Sequence, residues 1–506
     1  MFAALLAQAG DWTSPEIDWH AIAPELLLIV GINVVLATDL LIDETRKWAT
    51  ATIAGFVLLA AFVPVVTLAV VGETDVRALF DGRYVVDDFA LILKALFLIV
   101  AYLIVLMSQN ELEEGGYYQG EYYVMLLCSV LGMVMMSSSR DLVSLFVALE
   151  LLSIPAYMMA AWRKRDRKSN EAGVKYYLLG VFASGVLLYG MSLLYGATGT
   201  TKLTEISARV GELETTGLVV VGIVFMVAGF AFKVSAVPFH TWAPDTYQGA
   251  PLPVTAFLSV ASKAAGFVAL VALIFVAFPG EDSIYGPFVW ALAALTMTVG
   301  NVLALRQTNI VRMLAYSSVS QGGFILMPLA FANTNDAGGT VLKAVVVYLL
   351  VYALTNLGAF ATVIAVTRKT RSGEISSFGG LLQYAPGLAV MLTVFLASLT
   401  GIPPLGGWIA KFNTFKALLE AGNGSAYALA VIGAVNTAIA AAYYLRVLRV
   451  VWMHEPPDGD RTPIVTPQPV LVALAITTAG TIVLGVLPGL VMRFADLQDL
   501  TGALGR

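Results

Sequence analysis

Cysteine occurs once in this 506-residue chain, as Cys128, and histidine three times, as His20, His240 and His454. A single thiol excludes a disulfide framework and a cysteine metal site, and three scattered imidazoles do not suggest a metal cluster. Neither a GxxxxGK[ST] loop nor a strand-borne GxGxxG is present, so the chain carries no visible redox centre or nucleotide engine. Charge is scarce too: Asp, Glu, Lys and Arg make up 12% of the residues against 58% hydrophobic ones. Such a balance cannot close an ordinary water-soluble globule of this length, so the bilayer must be the main solvent. Nucleic acid is not an expected partner.

Long hydrophobic runs supply what the absences leave. With about 20 apolar residues needed to cross the hydrocarbon, candidate spans lie near 22–42, 50–72, 86–107, 120–137, 141–162, 173–196, 217–238, 251–278, 286–305, 309–330, 340–367, 384–402, 425–452 and 468–492. The twelfth is continued by 407–420. No polar stretch between them is long enough for a separate soluble domain, so the backbone inside the membrane must be helical. The expected fold is an all-α polytopic membrane protein of about fourteen transmembrane helices. The first ten residues, MFAALLAQAG, end in a small-residue pattern, but no Lys or Arg precedes the short apolar run, so signal cleavage is not expected.

Lys and Arg beside short loops stay on the cytoplasmic side. The densest cluster, Arg163, Lys164, Arg165, Arg167 and Lys168, follows the fifth span, and alternation puts Arg46, Lys47, Arg306, Arg312, Arg368, Lys369, Arg371, Arg446, Arg449 and Arg461 on the same side. Fewer cations lie opposite: Arg77, Arg83, Arg140, Lys202, Arg209, Lys343, Arg493 and Arg506. Both termini are therefore expected outside. Trp48, Trp162 and Trp452 fall at span ends, where an aromatic belt would lie.

Two spans break helical rules in corresponding positions. Pro238 lies in GFAFKVSAVPFHTWAPDTYQGAP at the end of span seven, and GIPPLGG, with Pro403, Pro404, Gly406 and Gly407, interrupts span twelve. Proline removes a backbone donor and clashes with the preceding turn, so both helices should be discontinuous and expose polar ends at membrane depth. Spans seven and twelve cross in opposite directions with five spans from one to the other, which predicts two inverted five-helix repeats. The expected division is 1–119 for helices 1–3, 120–278 for the first repeat (helices 4–8), 286–452 for the second (helices 9–13), and 453–506 for a loop and helix 14.

Of the 29 Lys and Arg residues, all but Lys94, Lys233, Lys263, Lys411 and Lys416 fall at loops or helix ends. Lys94 and Lys416 lie near outer span ends and are expected to snorkel to the interface. Lys263 is deep in span eight, Lys233 lies beside the first break and Lys411 just past the second. A mid-membrane lysine costs about 2.5–3.5 kcal/mol on insertion scales and normally faces a bundle interior or hydrated cavity. Glu150, in LFVALELLSIPAYMM, is the only carboxylate placed so deep, about 15 Å from either end of span five. It could be an inert strut paired with one lysine, yet three lysines share one acid. Burial opposes a lysine's charge and a nearby carboxylate favours it, so small rearrangements can move such groups across neutrality, as a proton relay requires. His240 follows the first break and either links it to water or is a hydrogen-bonded structural histidine. Lys175 opens span six as a positive-inside anchor or an accessory relay member. Ser317, Ser318, Ser320, Tyr348, Tyr352, Thr355 and Asn356 could hold water in the second repeat, or simply join helices.

The order and spacing of DLVSLFVALELLSIPAYMMAA around Glu150, EAGVKYYLLGVFASGVLLYG around Lys175, FKVSAVPFHTWAPDTYQGAP around Lys233, TAFLSVASKAAGF around Lys263, RMLAYSSVSQGGF, and SSFGGLLQYAPGLAV leading to SLTGIPPLGGWIAKFNTF around Lys411 run over most of the chain. In these the sequence resembles the subunit N family of the bacterial proton-pumping NADH:quinone oxidoreductase, respiratory complex I. The resemblance implies an antiporter-like translocase subunit in the cell (plasma) membrane beside other membrane-arm subunits. It also implies proton translocation through Glu150, Lys233, Lys263 and Lys411, with FMN, iron-sulfur clusters and quinone held by partner subunits and no cofactor in this chain. Gln321 departs from the pattern, standing where the family commonly carries histidine; it cannot titrate, so water or a neighbour must serve there. The same residues also fit a subunit of a multisubunit sodium/proton antiporter or membrane-bound hydrogenase, and more distantly a self-contained solute transporter.

The charge asymmetry predicts that 163–172 is cytoplasmic and 198–216 outside. In intact cells, an impermeant thiol reagent should modify a cysteine placed at 209 and spare one placed at 165; the opposite pattern reverses the topology.

Overall fold

The computed structural model describes residues 17–71, 76–117, 119–212, 217–334, 338–457 and 459–494. The leading segment read for cleavage and Arg506 lie outside these residues. Helices dominate, in the order α1 Ala23–Leu41, α2 Trp48–Val71, α3 Asp88–Gly115, α4 Gly120–Ser138, α5 Leu142–Ala160, α6 Arg167–Thr198, α7 Leu203–Glu212, α8 Gly217–Lys233 and α9 Trp242–Gly249. They continue with α10 Leu252–Ala277, α11 Asp282–Leu305, α12 Ile310–Leu329, α13 Gly338–Thr370, α14 Pro386–Thr400, α15 Gly406–Ala421, α16 Gly424–Met453, α17 Gln468–Val486 and α18 Pro488–Phe494. A two-stranded antiparallel hairpin, β1 Arg77–Leu79 and β2 Tyr84–Val86, joins α2 to α3.

Among the described residues, 11 helices are long and apolar enough to cross a membrane. The shorter apolar α8 and α14, and α12, occupy the remaining expected places. Local chemistry sets several helix starts: the side chains of Asp87, Asp141, Asp166, Asn309 and Asn423 accept from free backbone N–H groups at the starts of α3, α5, α6, α12 and α16.

Both predicted breaks are present, with one shift. The first begins at Val234, ahead of Pro238, because α8 stops at Lys233 and Ser235 takes a positive φ of 60°. Residues 234–241 then separate α8 from α9. The second runs from Gly401, at φ 94°, to Leu405, between α14 and α15. In span eight an interruption of another kind appears: α10 is continuous but wound as π-helix over Leu258–Ser262, immediately before Lys263, and again over Leu273–Ala277. Such bulges free backbone groups and often mark functional positions.

Helix α10 is the pillar of the bundle. Every residue from Pro253 to Phe278 is buried, with α3, α4, α8 and α13 packed around it. Without a hydrophobic drive between helices in lipid, close packing depends on small residues. A Cβ on Gly190 of α6 would come within 2.9 Å of Gly222 O on α8, and one on Gly300 of α11 within 2.8 Å of Ser320 N on α12. These contacts draw α6 to α8 and α11 to α12.

The ion pairs obey the alternation of spans. Arg77–Asp18, Arg83–Asp141, Arg140–Asp87 and Lys202–Asp81 join residues that alternation puts on one side. Lys47–Asp39, Arg163–Glu111, Arg368–Glu114, Arg312–Asp245 and Lys369–Asp460 join residues on the other.

Two expectations need correction. Lys94 does not snorkel: its side chain is 0% exposed, with Nζ 2.8 Å from Glu25 Oε1 and donating to Tyr84 Oη at 3.0 Å. A buried carboxylate on α1, close enough to pair, makes burial cheaper than reaching the interface. Trp162 is buried against Tyr122 rather than lying in an aromatic belt, whereas Trp48 and Trp452 are exposed as expected. Lys416 is half-exposed and pairs with Glu420 at 3.5 Å, consistent with an interfacial residue.

Removing one member of a buried ion pair strands the other, at a cost of about 3–5 kcal/mol, whereas replacing both is far less damaging. Lys94→Met alone should lower the thermal stability of the assembled protein by this order, and Glu25→Leu with Lys94→Met should recover most of it, measured as detergent-solubilised melting.

Candidate functional site

Glu150 lies midway along α5, where its Oε1 accepts from Ser184 Oγ of α6 at 2.6 Å. It is only half-buried, and it shares its side of α5 with the exposed Val143, Val147 and Ile154. One turn on, Ser153 Oγ accepts from Lys233 Nζ at 2.8 Å. Residues three apart on a helix are neighbours, so Glu150 and Lys233 address the same face of α5. Lys233, 3% exposed, also donates to Tyr176 Oη at 3.2 Å. The Tyr176 ring stacks on Trp242, centroids 4.3 Å apart, and Trp242 Nε1 donates to Phe232 O at 3.1 Å, tying the first break to the end of α8.

Lys233 adjoins Lys263 through Gly266, one turn beyond Lys263 on α10. A Cβ there would lie 3.1 Å from Lys233 Cβ, so only glycine lets the lysine stem cross α10 so closely. Lys263 Nζ donates to Ser318 O at 2.5 Å and Ser318 Oγ at 2.6 Å on α12. One turn along α12, Gln321 Nε2 donates to Leu399 O at 3.1 Å and approaches Tyr444 Oη at 3.4 Å, while its Oε1 accepts from Tyr348 Oη at 2.5 Å. Next to Leu399, Thr400 O accepts from Lys411 Nζ at 2.9 Å. Lys411 thus sits over the carbonyl ends of α14 left open by the second break, with Nζ 4.6 Å from the centre of the Phe324 ring.

Neighbouring positions on α5, α10, α12 and α14 thus bring Glu150, Lys233, Lys263, Gln321 and Lys411 into succession, as a file through the bundle. Among the described residues, Lys233, Lys263 and Lys411 find hydroxyls and carbonyls, and no carboxylate within ion-pair distance. A cavity of about 10 Å³ beside Lys411, room for about one water, is lined by Gln321, Tyr348, Tyr352, Thr355 and Ser398. Buried polar atoms ordinarily have partners, yet the oxygens of Tyr247, Ser262, Ser320, Tyr352 and Asn356 have none in the protein. Among them Tyr352 lines the cavity beside Lys411, where one water fits.

His240 and Lys175 do not join this file directly. His240 is half-buried on the 234–241 connection with Nδ1 enclosed and unpartnered. Lys175 is a compensated surface cation, 2.6 Å from Glu171 and 2.7 Å from Asp245. Asp245 also holds Arg312 at 2.7 Å, so it ties α6 to α12 on one side of the bundle. Sequence reasoning missed Ser153, Tyr176, Ser184, Asp245, Ser262 and Tyr444. Their signal was a small polar residue near a buried cation in the folded chain, which spacing along the sequence does not carry. Ser318 and Tyr348 had been singled out, and both lie in the file.

The family model described as "NADH:quinone oxidoreductase/Mrp antiporter, TM" matches residues 139–440. NADH-quinone oxidoreductase subunit N of Trichlorobacter lovleyi is 38% identical over 484 residues, covering 95% of this chain and 96% of that protein. The chain belongs to the subunit N family of NADH-quinone oxidoreductases. Respiratory complex I from Thermus thermophilus contains a chain that is 29% identical, with a TM-score of 0.75, covering 94% of this chain and 99% of that one. A chain of the Mrp complex from Dietzia sp. shares the fold at a TM-score of 0.84 and 20% identity, covering 97% of this chain and 100% of that one. The fold is therefore common to both kinds of assembly, and the sequence identity distinguishes them.

Gly401 combines a φ that L side chains rarely adopt with a Cβ position 2.9 Å from Lys411 Cδ. Gly401→Ala should cost about 1–2 kcal/mol in stability and displace Lys411, so proton pumping per assembled complex should fall more than the amount of complex. Equal losses would make Gly401 purely structural.

Proposed function

We propose that the chain moves protons across the plasma membrane as a membrane-arm subunit of NADH:quinone oxidoreductase, with Glu150, Lys233, Lys263 and Lys411 as its relay. The observation that carries this is the file of buried lysines joined through hydroxyls, carbonyls and helix turns without carboxylate partners. Lys263 and Lys411 are held by neutral dipoles, so losing a proton there leaves no paired carboxylate stranded, while Lys233 also feels Glu150. Moving one charge against 100 mV costs about 2.3 kcal/mol, and the energy comes from electron transfer in partner subunits that hold FMN, iron-sulfur clusters and quinone.

The Arg163–Lys168 side is read as cytoplasmic and both termini as outside. Spans 4–8 and 9–13 are read as inverted repeats: in each set the first two helices pack closely and the third packs on the broken helix. Helices 1–3 and 14 flank that core. The exposed α5–α6 face, with Val147, Phe182 and Tyr189, is read as the seat of a membrane-arm neighbour, because a half-buried Glu150 facing lipid alone would be costly. His240 and Lys175 are accessory, His240 offering a link between water and the first break.

Lys411→Met should leave helices and assembly intact and abolish pumping, and Lys411→Arg should fail too, because a guanidinium stays protonated in this range. Glu150→Gln should cut pumping about tenfold or more while sparing assembly. Quinone reduction and acidification, measured together on matched amounts of complex, test all three. A Lys411→Arg complex that pumps at the normal ratio would make Lys411 a fixed charge only.

A further inference from the structure

The vestibule on the side read as cytoplasmic has a volume of about 740 Å³. It lies where the ends of α3, α5 and α13 meet the starts of α6, α10, α12 and α17. Among its lining residues is Glu111 of α3, paired with Arg163. The Glu111 carboxylate also lies near the backbone N–H of Leu252, the first residue of α10, which lines the vestibule too. The acid thus stands beside the start of the helix that carries Lys263.

From that point a polar line runs inward along α10. Thr255, Ser259 and Ser262, at spacings of four and three, keep their hydroxyls near one face. Eleven residues at 1.5 Å rise carry this line about 16 Å from Leu252 to Lys263. Thr255 Oγ1 donates to Tyr247 O at 2.8 Å, and Ser259 Oγ accepts from Asn356 Nδ2 at 2.8 Å. Tyr247 Oη, Asn356 Oδ1 and Ser262 Oγ along the line are buried and make no hydrogen bond of ordinary geometry within the protein, with Ser318 beside Tyr247 and Tyr176 beside Ser262. Asn110 Oδ1, beside Glu111 in the vestibule, is in the same state.

We infer that Glu111 is the proton-loading group of the inner path, passing protons from the vestibule along the Thr255–Ser259–Ser262 line to Lys263; the inference rests on the relay reading above. A hydronium ion in the vestibule gives its proton to a Glu111 carboxylate oxygen and leaves as water. The neutral carboxyl loosens from Arg163, then passes a proton through hydroxyls and bridging water to the Lys263 amine. The products are an ammonium at Lys263 and the carboxylate at Glu111, which Arg163 takes back. The other charged groups lining the vestibule are Glu114 with Arg368, and Asp166, Lys168 and Arg371. With Glu114 held by Arg368, Glu111 is the vestibule acid beside the start of α10.

The test compares wild type, Glu111→Gln, Glu111→Gln with Arg163→Gln, and Lys263→Met in the whole complex, at matched assembly. NADH-driven quinone reduction is measured in detergent, with and without added formate, and acidification in proteoliposomes. Glu111→Gln should slow coupled turnover about tenfold or more, formate should restore part of it by carrying protons into the vestibule, and the double variant should stay slow. Wild-type turnover in Glu111→Gln, recovery in the double variant, or no response to formate would each overturn the assignment; recovery in particular would make the pair a strut. Normal pumping by Lys263→Met would instead overturn the relay reading. Loss of pumping in Lys263→Met beside normal Glu111→Gln would remove Glu111 alone.

Discussion

Three lysines buried inside an apolar bundle, none with a carboxylate within ion-pair distance among the described residues, are the constraint on which this structure depends. Burying an ion costs several kcal/mol even after relaxation, so each lysine must sit among oriented dipoles. Lys411 takes the open carbonyl end of α14, Lys263 takes Ser318 on α12, and Lys233 takes Ser153 and Tyr176. The second helix break serves this end: an unbroken helix would offer no free carbonyl at membrane depth, and the break frees Thr400 O where Lys411 lies.

The charges of helices α1–α4 show the opposite solution. Lys94 pairs with Glu25, and Arg140 with Asp87, at 2.8 and 2.7 Å. These pairs are neutral and tie α1 to α3, and the start of α3 to the end of α4. A paired lysine holds structure, because the adjacent carboxylate fixes its ammonium in one place. An unpaired one, held by hydroxyls, keeps the option of releasing its proton. Within one bundle, the partner rather than the residue type separates the two roles.

Much of this was legible before folding. Pro403 and Pro404 mark their break directly, since proline chemistry is local, and the depth of Lys263 and Glu150 follows from counting along an apolar run. What counting cannot supply is a partner from another helix. Lys94 and Lys416 look alike in sequence, each near an outer span end, yet Glu25 keeps one buried and the other reaches the surface. The first break begins at Val234 rather than Pro238 because the chain turns through a left-handed Ser235, which has no sequence signature of its own. The π-helical turn before Lys263 was likewise invisible, as its residues, Leu258–Ser262, are ordinary helix formers in an apolar run. Gln321 did announce a departure, and the structure gives it the phenols of Tyr348 and Tyr444 as neighbours.

The central claim is that the buried lysines exchange protons rather than merely hold charge. Nitrogen NMR of the assembled complex, with 15N at lysine Nζ and the three sites assigned by Lys→Met variants, distinguishes ammonium from neutral amine at each. The account predicts that at least one of Lys233, Lys263 and Lys411 appears as a neutral amine in one redox state of the complex and as an ammonium in another. Three signals that remain ammonium in every redox state, while the complex pumps normally, would contradict it.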